Sequence, residues 1–162
     1  LQSLVLPALA GVREDSAAVL ALIEQAIQAA NREIRELAGG SASNMGTTVV
    51  LALVMGDQMY VANVGDSRAY LWGRRGLRQI TADHSHVFLL KQQGVIEEDE
   101  IYTHPRRNEI YRSLGFTAAV EVDCCQERLH PGDLLLLCSD GLWEMLRNEG
   151  IADVLLMNWG DP

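Results

Sequence analysis

Hydrophobic and polar residues change rhythm several times along this chain, and each rhythm points to an element. Val19, Leu20, Ile23, Ala26, Ile27, Ala30, Ile34 and Leu37 recur at steps of three and four, with Glu24, Gln25, Gln28, Arg32, Arg35 and Glu36 on the opposite face. That spacing predicts an amphipathic helix, opened by Asp15-Ser16 and closed by Gly39-Gly40. The apolar segment Leu1 to Val12 reads as the tail of an earlier helix. After the loop from Ser41 to Gly46, Thr47 to Met55 is almost wholly apolar and rich in β-branched residues, as in a strand buried on both faces. Met59 to Val64, Ser67 to Trp72 and Leu77 to Thr81 follow across short Gly-bearing turns. Together the four read as an antiparallel meander.

The middle of the chain has another character. Ser85 is placed to cap a short helix reaching about Gln93, with Gly94 as its stop, and Glu97 to Ile101 forms a further helical turn. A polar, punctuated run from His104 to Asn108 leads into Tyr111 to Gly115. Such excursions from a sheet commonly border a site. Val120 to Leu129 alternates as a half-exposed strand, and Pro131-Gly132-Asp133 turns into the apolar strand Leu134 to Cys138. Helices are expected at Leu142 to Leu146 and Asn148 to Met157.

With 162 residues, 48% of them hydrophobic and 22% charged, the chain has the length and composition of one globular domain. A net charge of −9 argues against nucleic acid or an anionic membrane as partner and suits the gathering of divalent cations. No stretch has the length and apolarity of a membrane span. Cys124, Cys125 and Cys138 lie in apolar or alternating runs and read as small hydrophobes of a reducing, cytoplasmic compartment. A redox role for the vicinal pair is the alternative reading.

Two aspartates carry the candidate chemistry. Asp66 follows the run Met59 to Val64, and Asp140 follows Leu134 to Cys138. A carboxylate at the mouth of a buried strand is held stiffly and half desolvated, which suits a hard cation such as Mg²⁺ or Mn²⁺. Each also has a plainer reading: Gly65-Asp66 as a hairpin turn, Asp140-Gly141 as a helix cap. Arg68 is two residues beyond Asp66 and shares its strand face, either to bind phosphate or to form a structural ion pair. His84, His86, His104 and His130 do not make a site by spacing. His104, in the polar excursion, is the most suggestive of them.

The runs Ala29-Ala30-Asn31, Met45-Gly46-Thr47-Thr48, Ala62 to Leu71, Ile80 to Ser85, His104-Pro105, Ser113-Leu114-Gly115 and Gly132 to Leu142 resemble the metal-dependent protein phosphatases of type 2C (PPM), the bacterial serine/threonine members above all. The likeness extends from about Leu20 to Asn148. It implies an α+β fold, a four-layer sandwich of two antiparallel β-sheets flanked by α-helices, and an active site of two or three Mn²⁺ or Mg²⁺ ions. It also implies that a metal-bridged water attacks phosphoserine or phosphothreonine of phosphorylated proteins. By the same resemblance Asp140 is a ligand of the core metal centre, and Asp66 joins it around a further ion. A flap over about 83–115 borders the substrate groove, with His104 touching substrate.

The family's opening Arg-x-x-Asn-Glu-Asp and Asp-Gly-x-Gly-Gly-His motifs and its closing Asp-Asn do not occur here. The expectation is a partial catalytic domain over 1–162, its middle and late part, which holds no complete catalytic set and is inactive alone. Open sheet edges would then invite dimerisation. The rival reading is a non-catalytic regulatory or interaction module on the same fold; a regulatory phosphatase acting on an anti-sigma-type partner is a third.

Overall fold

The computed structural model describes Leu9 and residues 15–39 and 45–157. The apolar segment expected over Leu1 to Val12, Leu9 excepted, and the residues from Asn158 onward lie outside these. Helix α1 (Ser16–Leu37) starts where the Asp15 carboxylate accepts the N–H groups of Ala17 and Ala18. Its stripe of Val19, Ile23, Ala26 and Ile27 is buried, as the spacing requires.

Six strands follow among the described residues: β1 (Val49–Met55), β2 (Gln58–Val64), β3 (Arg68–Gly73), β4 (Gly76–Gln79), β5 (Asp123–Arg128) and β6 (Leu134–Cys138). They form two antiparallel three-stranded sheets, ordered β1-β2-β5 and β4-β3-β6. The expected four-strand meander is therefore wrong. β1-β2 and β3-β4 are hairpins, but they belong to different sheets, and Gly65-Asp66 crosses between sheets instead of closing a turn. The reason is visible in the hydrogen bonds. Gly65 N–H goes to the His84 ring (3.0 Å), and the Asn63 amide donates to the Ala82 carbonyl (2.9 Å), so the junction is tied to the segment after β4. β1 is also less enclosed than expected: it is an edge strand beginning at Val49, and Val54 is 49% exposed.

Strand alternation then builds four layers. Met59 and Val61 of β2 meet Ala69 and Leu71 of β3 in the space between the sheets, joined by Val50, Ala52, Cys125 and Leu135. The opposite face of the first sheet, with Tyr60, Ala62 and Val64, packs on Val19, Ile23 and Ile27 of α1. The outer face of the second sheet, with Tyr70 and Leu136, packs on helix α3 (Asp140–Met157) through Trp143 and Ile151. Arg147, at φ 55° and ψ 174°, is not helical and divides α3 into two helical segments, as expected from the sequence. No helix among the described residues is long and apolar enough to cross a membrane. The adjacent Cys124 and Cys125 point to opposite faces of β5, and burial pushes both thiols up, Cys124 to about 11. That geometry favours their reading as small hydrophobes over a redox pair.

Helix α2 (His86–Gln92), capped by Ser85, and a 3₁₀ turn (Glu98–Tyr102) lie outside the sheets as expected. Their root is a buried ion pair. Arg68 donates to both oxygens of Asp83 (Nε–Oδ1 3.0 Å, Nη2–Oδ2 2.6 Å) with 2% and 1% of the two side chains exposed. Its guanidinium also lies 3.6 Å from the Trp143 ring centroid. Of the two readings of Arg68, the structural ion pair is the one realised. Removing one member of such a pair strands the other charge in the interior. Asp83→Ala should accordingly lower the unfolding free energy by about 3–5 kcal/mol. In denaturant titrations the double replacement Arg68→Leu/Asp83→Leu should cost less than that single change.

Candidate active site

The register of β3 against β6 decides where the two aspartates lie. Arg68 pairs with Cys138, Ala69 with Leu137 and Tyr70 with Leu136. Continuing outward, Ser67 and Ser139 come next, and Asp66 and Asp140 lie two steps beyond the last paired residues. Both aspartates line a cavity of about 780 Å³, whose wall also includes Thr48, Arg112, Ser113 and Glu121. Burial pushes the Asp66 carboxyl above the ordinary carboxylate range, and the charge of Asp140 pushes it further. A half-buried carboxylate beside a second one is a natural place for a cation. Asp140 is the first residue of α3, and its carboxylate accepts the N–H of Gly141 (2.8 Å).

The segment carrying Asp66 is held from several sides. Gly65 sits at φ +111°, and a Cβ there would overlap Thr48 Cγ2. Thr48 Oγ1 in turn is hydrogen-bonded to Ser67 Oγ at 2.8 Å. His84 Nδ1 accepts Gly65 N–H, so the ring proton resides on Nε2 and faces Asp123 Oδ2 at 3.2 Å. Arg112 bridges Asp123 (2.7 Å) and Glu121 (2.5 Å) on the cavity wall. The Trp143 indole N–H donates to the Asp66 carbonyl at 3.0 Å.

The far wall of the cavity is suspended from α1. Asn31 is fully buried; its amide donates to the Thr117 carbonyl (2.9 Å) and its oxygen accepts Gly115 N–H (2.8 Å). Gln28 donates to the Val120 carbonyl, and Arg35 to that of Phe116 (2.9 Å). Gln28, Asn31 and Arg35 recur at three and four residues, one polar strip along the helix.

His104 does not line this cavity. Its Nδ1 accepts the N–H of Arg106 (3.1 Å), which stabilises the turn after Pro105. Spacing gave no reason to single out His84, Trp143 or Arg112. Only the tertiary structure brings them to the Asp66 junction.

Comparison with known proteins agrees with this architecture. The family profile described as Protein phosphatase 2C matches residues 8–87. The solved serine/threonine phosphatase PstP/Ppp of Mycobacterium tuberculosis superposes with a TM-score of 0.80 and 34% identity, covering 97% of this chain and 68% of that one. The chain belongs to the protein phosphatase 2C family. The serine/threonine phosphatase stp of Listeria monocytogenes is 41% identical over 135 residues, 82% of this chain and 54% of the relative. The chain spans about half the length of the curated phosphatase 2C relatives it matches. A PstP catalytic domain solved in complex with two manganese ions matches with a TM-score of 0.77 and 32% identity, over 95% of this chain and 66% of that one.

The donor chemistry of the Asp66 and Asp140 wall fits part of a phosphatase 2C metal centre: two hard oxygen donors whose mutual repulsion a cation relieves. Among the described residues, no group of three or more His, Cys, Asp or Glu side chains is placed to hold an ion.

Two outcomes follow from this geometry. Gly65→Ala should lower stability by about 3 kcal/mol in chemical denaturation, since it strains a positive φ and displaces Thr48. Burial lowers the pKa of His84 below the ordinary 6.5; Asp123 opposes this shift and Arg112 reinforces it. The unfolded chain therefore takes up the His84 proton first on acidification, and stability falls as pH drops below about 6.5. His84→Gln should flatten that decline relative to the parent chain in denaturation series between pH 7.5 and 5.5.

Proposed function

We propose that the protein containing this chain is a metal-dependent serine/threonine protein phosphatase. It removes phosphate from phosphoserine and phosphothreonine in proteins, with Mn²⁺ or Mg²⁺ as cofactor. The observation that carries this reading is that Asp66 and Asp140 line one cavity of a phosphatase 2C fold, near enough for the charge of Asp140 to act on Asp66. Asp140 would serve the core metal centre, and Asp66 with Asp140 a further ion. Bound there, the ions supply the lowered pKa of an attacking water and the neutralisation of phosphate charge.

This chain's own side chains act by position. His84 and Trp143 fix the peptide that carries Asp66, and Arg112 is oriented by Glu121 and Asp123 at the cavity wall. The strip of Gln28, Asn31 and Arg35 keeps the opposite wall in place. His104 is proposed to meet substrate from the flap, whose root is the Arg68–Asp83 pair. Two carboxylates are too few donors for a complete centre, so the 162-residue chain by itself is proposed to be inactive. The same shortage favours, as a second reading, a non-catalytic regulatory or interaction module. Self-association through open strand edges belongs to the proposal as well.

Turnover of a phosphothreonine peptide, measured with Mn²⁺ and with EDTA, separates these readings. The isolated chain should show no Mn²⁺-dependent release of phosphate. The full-length protein should show it, and Asp140→Ala should reduce it by at least about a hundredfold. Turnover by the full-length protein that survives EDTA, or that Asp140→Ala leaves unchanged, would overturn the assignment.

A further inference from the structure

The β3–β6 ladder stops at Arg68 and Cys138, two residues short of each aspartate. The register aims the two outgoing segments, but beyond that point no ladder pairing holds Asp66 to Asp140. A hydrogen bond spans the gap: Trp143, a turn along α3 from Asp140, donates its indole N–H to the Asp66 carbonyl at 3.0 Å. On a helix, residues three apart lie on one side, so Trp143 sits one turn from Asp140 on the same side of α3. Its ring has little freedom. It is 2% exposed, Arg68 lies against its face at 3.6 Å, and Tyr102 meets its edge with centroids 6.2 Å apart. The direction of the N–H is therefore fixed by packing, not by the bond it makes.

We infer that Trp143 is the positioning residue of the candidate cation site: it ties the peptide bearing Asp66 to the helix bearing Asp140 and so sets the bite of the two carboxylates for a divalent ion. Nothing in this role requires Trp143 to touch the ion or the substrate. A buried aromatic at this place would be explained by core packing alone, and Phe would serve that purpose. The indole N–H and its carbonyl partner are what packing does not account for. The inference rests on reading Asp66 and Asp140 as cation ligands, and the test separates the two claims.

The full-length protein, its Asp66→Ala variant and its Trp143→Phe variant are titrated with manganese chloride by calorimetry, and each is melted in metal-free buffer. The full-length protein should bind Mn²⁺, and Asp66→Ala should lose one of the bound ions. Trp143→Phe keeps an aromatic ring between Arg68 and Tyr102 but lacks the donor, and should bind Mn²⁺ about ten- to a hundredfold more weakly. A purely structural role would lower the melting temperature and leave the dissociation constant unchanged, because native-state affinity is independent of native-state stability. Equal affinity in the full-length protein and Trp143→Phe overturns the positioning role alone. Unchanged Mn²⁺ stoichiometry and affinity in Asp66→Ala overturns the ligand reading, and the positioning role with it. If Trp143→Phe fails to fold, benzothienylalanine in place of Trp143, isosteric but without the N–H, makes the same comparison.

Discussion

Antiparallel register is an unforgiving constraint, and in this protein the register of β3 against β6 governs the candidate site. A slip of one residue would turn over every side chain of the strand. Ala69 and Leu71 would leave the space between the sheets, and Arg68 and Tyr70 would enter it. The burial of Ala69 and Leu71 against Met59 and Val61 therefore holds the pairing of Arg68 with Cys138. That pairing in turn aims the outgoing chains so that Asp66 and Asp140 emerge into one cavity. Hydrophobic burial sets the position of two charges that contribute nothing to it.

Around that frame the polar interior is unusually connected. Arg68 joins Asp83, stacks on Trp143 and donates to the Tyr70 hydroxyl (2.8 Å), which donates to Asn148 (2.9 Å). Burial pushes the Tyr70 phenol up to about 12, so it stays protonated and can donate. A buried ion pair contributes little net stability against an apolar substitute, because both ions lose their hydration. What this pair does provide is a defined place for the segment that starts the flap, directly beside the sheet junction.

The third support is α1, whose two faces do different work. The apolar stripe packs on the first sheet, while the strip of Gln28, Asn31 and Arg35 holds backbone carbonyls of residues 116–120. Backbone groups in a loop lining a cavity need partners, and here a helix supplies them from side chains. The cavity is thus walled on one side by the strand ends and on the other by a loop hung from α1.

Much of this was legible in the amino-acid order. The helix from Ser16, every strand, the Ser85 cap and both closing helical segments show in local periodicity and cap chemistry, since these are set by interactions a few residues apart. Asp66 and Asp140 stand out for a local reason too: each follows directly on an apolar strand. Family likeness was readable from motifs such as Gly65 to Arg68 and Ser139 to Gly141. Tertiary structure alone decided that β2 and β3 part into different sheets, because the partners that draw Gly65 and Asn63 away, His84 and Ala82, lie some twenty residues onward and carry no periodic signal. It also decided that Arg68 answers Asp83 and not Asp66, and that Trp143 and Asn31 are structural anchors of the cavity. Side chains that act across 70 or 80 residues are specified by packing in three dimensions, which a one-dimensional pattern does not encode.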